Sequence, residues 1–137
     1  MFVDASAIVA LITKEPEADL LADTLDTAET PITSSLAIYE ATLAVFRKQR
    51  GTVEDARQDV RDFLAETRIR LVAIEGDASD RALDAFTRYG KGRGHPAQLN
   101  MADCFAYAVA TAHGTSLLFK GEDFALTDIP PAATRTQ

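Results

Sequence analysis

Short apolar runs alternate with amphipathic stretches along the whole chain, and that alternation is the strongest limit on what it can fold into. Phe2-Val3, Pro31-Ile32-Thr33, Arg70-Leu71-Val72-Ala73-Ile74 and Ser116-Leu117-Leu118-Phe119 read as strands, with a last short candidate at Asp128-Ile129-Pro130. One or two helical patterns separate each of the first four from the next. Ser6 is placed to cap a helix reaching about Ile12, Pro16 opens one to about Asp26, and Ser35 caps a third to about Arg50, closed by Gly51. Residues 53 to 67 carry helical charge pairs such as Glu54/Arg57, and residues 77 to 89 form a helix with Ala82, Leu83 and Phe86 inward. Asn100 starts a further helix to His113, before Gly114. Strands parted by helices imply an α/β protein with a largely parallel sheet, because parallel neighbours need long crossovers. No linker or repeat breaks the pattern, so residues 1 to 137 are expected to form one domain with a tail that frays after about residue 130.

Composition enters through charge. With 21 Asp+Glu against 14 Lys+Arg the net charge is −7, and affinity for phosphate comes mostly from Lys and Arg displacing counterions. A nucleic-acid role therefore needs a local basic surface, or cations that turn carboxylates into positive sites. The lone Cys104 cannot form an intrachain disulfide and fits a reducing compartment. The opening run MFVDASAIVALITKEP loses its apolar character near Ile12, too short to cross a bilayer and without a basic leader. The expected location is cytoplasmic.

The informative residues are acids standing where apolar ones belong. Leu36, Glu40, Leu43 and Arg47 follow one another at steps of 4, 3 and 4, as do Leu99, Asp103, Ala106 and Ala110. Glu40 and Asp103 thus lie on the core-facing stripes of their helices. Asp4 and Asp123 directly follow strands, at the sheet edge where open α/β folds bind ligands. Ordinary structural roles exist for each: Asp4 and Asp123 as turn or cap residues, Glu40 paired with Arg47 or a lysine, Asp103 with Arg93 or Lys91. If the four converge instead, their repulsion calls for divalent cations, and an oxygen-only site suits Mg²⁺ or Mn²⁺. Two His and one Cys, without HExxH or CxxC, carry no zinc signature. Such a site supports attack of an acidified water on a phosphodiester.

Other features are less specific. Lys91, Arg93 and His95 lie in the Gly-rich stretch GKGRGHP, read as a mobile loop that either clamps RNA phosphates or is merely solvated. Arg47, Lys48 and Arg50 end a helix, where bases favour the dipole whatever the function; their nearness to Glu40 leaves an RNA-contact role open, with Arg47 as the named candidate. Tyr39, Phe105 and Tyr107 read as core residues.

The motifs VDASAIVA, SSLAIYEA, LNMADCFAYAVA and LLFKGEDFALTDI, in this order and across nearly the whole chain, resemble the PIN-domain ribonucleases, and among them the VapC toxins of VapBC toxin–antitoxin modules. The resemblance implies a three-layer α/β/α fold with a short, largely parallel central sheet. It implies a Mg²⁺-dependent endoribonuclease, with Mn²⁺ as a substitute, whose acidic site is Asp4, Glu40, Asp103 and Asp123, supported by Ser6 and Asn100. It also implies a homodimer, no membrane, and a VapB-type antitoxin whose C-terminal segment occupies the acidic groove. One departure stands out: many relatives carry Thr or Ser at the end of the last strand and a further Asp two residues before the Asp-Phe pair, where this chain has Phe119 and Gly121. One ion held through Asp4 and Asp103, with a second arriving with substrate phosphate, is the expectation that follows. The alternatives are a metal-free PIN-like module binding RNA or protein, a phosphatase of the haloacid-dehalogenase type, which would need DxD where this chain has Ser6, and a receiver-type domain, for which Asp4 and Lys120 alone are suggestive.

Overall fold

A computed structural model describes residues 1–132. Four strands form one parallel sheet: β1 (Phe2–Val3), β2 (Ile32–Ser34), β3 (Arg70–Val72) and β4 (Leu117–Leu118), in the order β3-β2-β1-β4. Six helices join them: α1 (Ala5–Ile12), α2 (Ala18–Leu25), α3 (Ser35–Lys48), α4 (Val53–Thr67), α5 (Ala78–Tyr89) and α6 (Met101–Ala112). The helices pack as α1 with α2, α3 and α4, and as α5 with α6, while α3 also meets α6. This is the expected three-layer α/β/α arrangement. Phe2, Val3, Ile8, Leu99 and Leu117 are fully or almost fully buried at its centre, so the short strands form the spine of the apolar core.

The chain order runs outward from β1 through β2 to β3, then returns to place β4 on the other side of β1. The sheet therefore reverses direction between β1 and β4, and the crevice beyond their carboxyl ends is the natural ligand position of such a fold. Asp4 follows β1 at that point.

Local chemistry adjusts several boundaries. Asp4, not Ser6, caps α1, its side chain accepting from the Ser6 backbone N–H at 3.0 Å. Buried Ser34, not Ser35, caps α3 through the Ala37 N–H. That helix ends at Lys48, with Gln49 extended, so Gly51 (φ +128°) belongs to the turn before α4 and does not cap α3. The second helix starts at Ala18, two residues past Pro16. Leu83 and Phe86, expected inward on α5, are 61% and 40% exposed; only Ala82 of that trio is buried. Tyr39 is likewise exposed, whereas Tyr107 is buried.

The stretch after α5 is fastened at its base by a bridge between Gly90 and Leu99, with Lys91 N–H donating to the Leu99 carbonyl at 3.0 Å. His95 folds back, its Nδ1 accepting from the Ala97 N–H and its ring edge-on to Tyr89. Residues 130 to 132 run beside β4: Leu117 N–H donates to the Pro130 carbonyl and Ala132 N–H to the Leu117 carbonyl. The rest of the expected tail, 133–137, lies outside the described residues. None of the described helices is long and apolar enough to cross a membrane.

Candidate active site

A cavity of about 260 Å³ opens at the sheet's reversal point, and Asp4, Glu40 and Asp103 line it together. Three separate parts of the fold deliver them. The end of β1 fixes Asp4, the second turn of α3 carries Glu40, and the first turn of α6 carries Asp103. Asp4 is almost wholly buried. Its Oδ2 accepts from both the Ser6 N–H at 3.0 Å and the Ser6 hydroxyl at 2.6 Å. The same hydroxyl accepts from the Lys120 N–H at 3.0 Å, so Ser6 ties the chain after β4 to the carboxylate after β1. Asn100 and Asp103 form a reciprocal cap: Asp103 N–H donates to Asn100 Oδ1 at 2.9 Å and Asn100 N–H to Asp103 Oδ2 at 3.0 Å. That bond fixes one oxygen of Asp103.

The acids feel one another. Burial pushes the Asp4 carboxyl above its ordinary range against the Ser6 hydrogen bonds. Glu40 rises to about 7, through burial first and then through the charges of Asp4 and Asp103. Asp103 rises to about 6 through burial, opposed by the Asn100 N–H and reinforced by Asp4 and Asp123. Among the described residues none of the four acids is paired with a lysine or arginine, so the ion pairs that would have explained Glu40 and Asp103 structurally are not formed. The cluster carries more negative charge than its surroundings offset.

Asp123 stands apart. It is exposed at the start of the 3₁₀ turn Phe124–Leu126 and does not line the cavity, although its charge reaches Asp103. Gly121 just before it has φ +103°, a conformation that favours glycine, and a Cβ there would meet nothing within 4 Å. Lys91, Arg93 and His95 do not line the cavity either; Lys91 borders a separate apolar groove with Leu83, Phe86 and Met101, and Arg93 lies over the Phe86 ring. Arg47 points outside the cavity lining as well. Three further charged residues line it: Glu15, Lys48 and Lys120. Of these, sequence reasoning singles out Lys48 through its nearness to Glu40, whereas nothing in the sequence marks Glu15 or Lys120 for this cavity.

The donor set suits a hard divalent cation. It is all oxygen, its deepest member has no cationic partner, and three carboxyls repel one another across one cavity. As the side chains stand, no three His, Cys, Asp or Glu groups among the described residues are gathered tightly enough to hold one ion. Closing on a cation therefore requires side-chain rotation, water ligands, or both.

The PIN domain family matches residues 1–130. Ribonuclease VapC of Mycolicibacterium smegmatis is 44% identical over 130 residues, covering 94% of this chain and 97% of that protein. A VapC ribonuclease of Rhizobium meliloti is 39% identical over 93% of this chain and 98% of its own, and ribonuclease VapC42 of Mycobacterium tuberculosis is 38% identical over 98% of this chain and all of its own. Among solved structures, VapC20 of Mycobacterium tuberculosis, a toxin that cleaves the sarcin-ricin loop, superposes with a TM-score of 0.74 at 16% identity, covering 93% of this chain and 95% of that one. A toxin–antitoxin complex from Klebsiella pneumoniae gives 0.64 at 18% identity, covering 90% and 89%. These two likenesses concern the fold, whereas the full-length sequence identities reach further: the chain belongs to the PIN domain family, among the VapC ribonucleases.

Proposed function

We propose that this protein is the toxin of a toxin–antitoxin pair and acts as a divalent-metal-dependent endoribonuclease, with Mg²⁺ as the metal and Mn²⁺ as a substitute. The observation that carries the reading is the convergence of Asp4, Glu40 and Asp103, unpaired, on one cavity at the sheet's reversal point. Asp4 is the fixed ligand, because Ser6 leaves it one orientation. Asp103 keeps one oxygen in the Asn100 cap and offers the other to the cavity. Glu40, half-buried on α3, closes the third side. Asp123 acts from the rim, through its charge on Asp103. A divalent cation bound here supplies Lewis acidity, making a water acidic enough to attack and offsetting charge on the phosphate. The chain's own part is to hold the carboxylates around that cation and to present the opening to an RNA strand.

The partners follow the same reading. An antitoxin segment carrying Arg or Lys complements the unpaired acids, and the apolar strip of Leu83, Phe86 and Met101 supports association with a second copy. The test is incubation of the purified protein with RNA and with a phosphomonoester, each with Mg²⁺ and with chelator. RNA cleavage that needs Mg²⁺ and is lost in Asp4→Asn and Asp103→Asn is the expected result. Activity on the monoester identifies a phosphatase, and RNA binding without cleavage identifies a metal-free binding module.

A further inference from the structure

Among the described residues, two lysines are the only bases that line the acidic cavity, and one carboxylate contacts both. Lys48 and Lys120 each direct the ammonium group to the same oxygen, Glu15 Oε1; the Lys120 contact is 3.2 Å long. The Glu15 side chain is 15% exposed, against 48% for Lys48 and 35% for Lys120, so the acid lies beneath and the two ammonium groups above it face the opening. Lys120 also approaches Glu17 at 3.5 Å, on the outer side.

Each member is tied to a cavity acid, Lys120 and Glu15 to Asp4 and Lys48 to Glu40. Lys120 N–H donates to the Ser6 hydroxyl that orients Asp4. Lys48 stands eight residues beyond Glu40 on α3, about 12 Å further along the helix axis. Glu15 lies three residues past the end of α1, the helix that Asp4 caps. The group is thus built into the frame of the acidic site, yet displaced from it along the rim.

We propose that Lys48 and Lys120, positioned by Glu15, form a subsite for an RNA backbone phosphate flanking the one that is cut. With Glu17 on the outer side the four charges cancel, but Glu17 does not line the cavity, so on the cavity side two ammonium groups stand against the one carboxylate of Glu15, at a point of a cavity that otherwise repels a polyanion. Two ammonium groups brought to one oxygen are close enough together to meet the two free oxygens of a single phosphodiester. Lysine suits that task as a pair of mobile point charges, and Glu15 offsets the repulsion that would otherwise spread them. This subsite rests on the ribonuclease reading above and names how the strand is held there.

Glu15→Gln separates positioning from mere charge. It makes the rim more positive by one charge, so a purely long-range attraction predicts tighter RNA binding. Loss of the carboxylate that gathers the lysines predicts weaker binding.

The experiment uses a fluorescein-labelled single-stranded RNA oligonucleotide, read by anisotropy in chelator so that no catalysis is needed, and then by steady-state cleavage with Mg²⁺. Lys48→Gln, Lys120→Gln and Glu15→Gln are each expected to weaken binding and raise KM on the order of tenfold with kcat nearly unchanged. Each lysine variant should also flatten the plot of log affinity against log salt by about 0.7, the value for one phosphate contact on a single strand. Lys48→Arg and Lys120→Arg should retain most binding, which separates lost charge from lost folding, and melting curves check the latter. A substrate trimmed to the nucleotides next to the cut should show no lysine effect. Wild-type affinity and salt slope in both lysine variants overturns the subsite, as does loss of affinity for an acidic peptide alone, which assigns the pair to a protein partner. Tighter binding by Glu15→Gln overturns the positioning role. Failure of the wild-type protein to cut any RNA with Mg²⁺ overturns the ribonuclease reading instead, and the anisotropy series still decides the subsite.

Discussion

Removing a carboxylate from the cavity should stabilise the metal-free protein while removing its response to metal. Glu40 titrates at about 7 against an ordinary 4.5. Each tenfold change in proton affinity is worth about 1.4 kcal/mol, so that rise corresponds to roughly 3 kcal/mol of destabilisation once Glu40 is charged. Glu40 is only half-buried, and solvent screening reduces this to about 1–2 kcal/mol. The direction follows from proton linkage. A carboxyl with a raised folded pKa makes the native state bind more protons than the unfolded one between pH 4.5 and 7. Stability therefore falls as pH rises through that window and levels off above it. Asp103, at about 6, adds a drop in the same direction at lower pH.

Glu40→Gln keeps the shape and removes the charge. In chelator at pH 8 it should unfold at a higher temperature than the natural protein, by about 4–8 °C for a stabilisation of this size. At pH 4, below both the ordinary and the raised values, Glu40 is largely protonated folded or unfolded and the difference should nearly vanish, with pH 5 in between. With millimolar Mg²⁺ the order should reverse at pH 8, because binding to the native state alone raises stability by an amount set by affinity, and the variant has lost a ligand. Calorimetry of both proteins at pH 4, 5 and 8, with chelator and with Mg²⁺, reads all of this. A variant that melts lower than the natural protein at pH 8 in chelator, or whose advantage does not depend on pH, refutes the account of the cavity as an uncompensated acid cluster.

Three further outcomes follow from named contacts. Ser6→Ala removes the 2.6 Å bond to Asp4 and the acceptor for the Lys120 N–H; chemical denaturation should show a loss of about 1–2 kcal/mol, and RNA cleavage should need more Mg²⁺. Asn100→Ala breaks the reciprocal cap with Asp103 and should cost about 1 kcal/mol by the same measurement, with weaker Mg²⁺ binding by titration calorimetry. Tyr107→Phe deletes the hydroxyl that donates to Asp128 and should cost about 1 kcal/mol in thermal unfolding. Tyr107 and Arg88 hold Asp128 below the usual carboxylate range, so Tyr107→Phe should leave RNA cleavage unchanged while reducing the stability gained above that range.

What the sequence made legible was whatever repeats locally. The strand and helix periods, the start of α6 at Asn100 and the acids at positions 40 and 103 all appear within a few residues of their causes. The outward turn of Leu83 and Phe86 was not legible, because an apolar stripe looks the same whether it meets the core or borders an open groove with Met101 and Phe105. The grip of Ser6 on Asp4 was visible as proximity, but its second bond, to the backbone of Lys120, depends on β1 and β4 becoming neighbours. The same holds for the rim: Glu15, Lys48 and Lys120 come from three separated segments with no shared period, and only the closed sheet brings them together.

That difference bears on how an acidic protein can handle RNA. A core-facing glutamate and aspartate destabilise the fold wherever they lack a partner, and the fold supplies none of its lysines or arginines to them, among the described residues. Yet two lysines are spent within the same cavity on Glu15, an acid that is closer to solvent than Asp4 and less in need of pairing. An arrangement selected for stability alone would place those charges the other way round. Leaving the inner acids free and the rim bases gathered puts a cation demand at the floor of the cavity and a phosphate demand at its edge. On the function proposed above, substrate and metal would stabilise the site together, each weakening the other's repulsion.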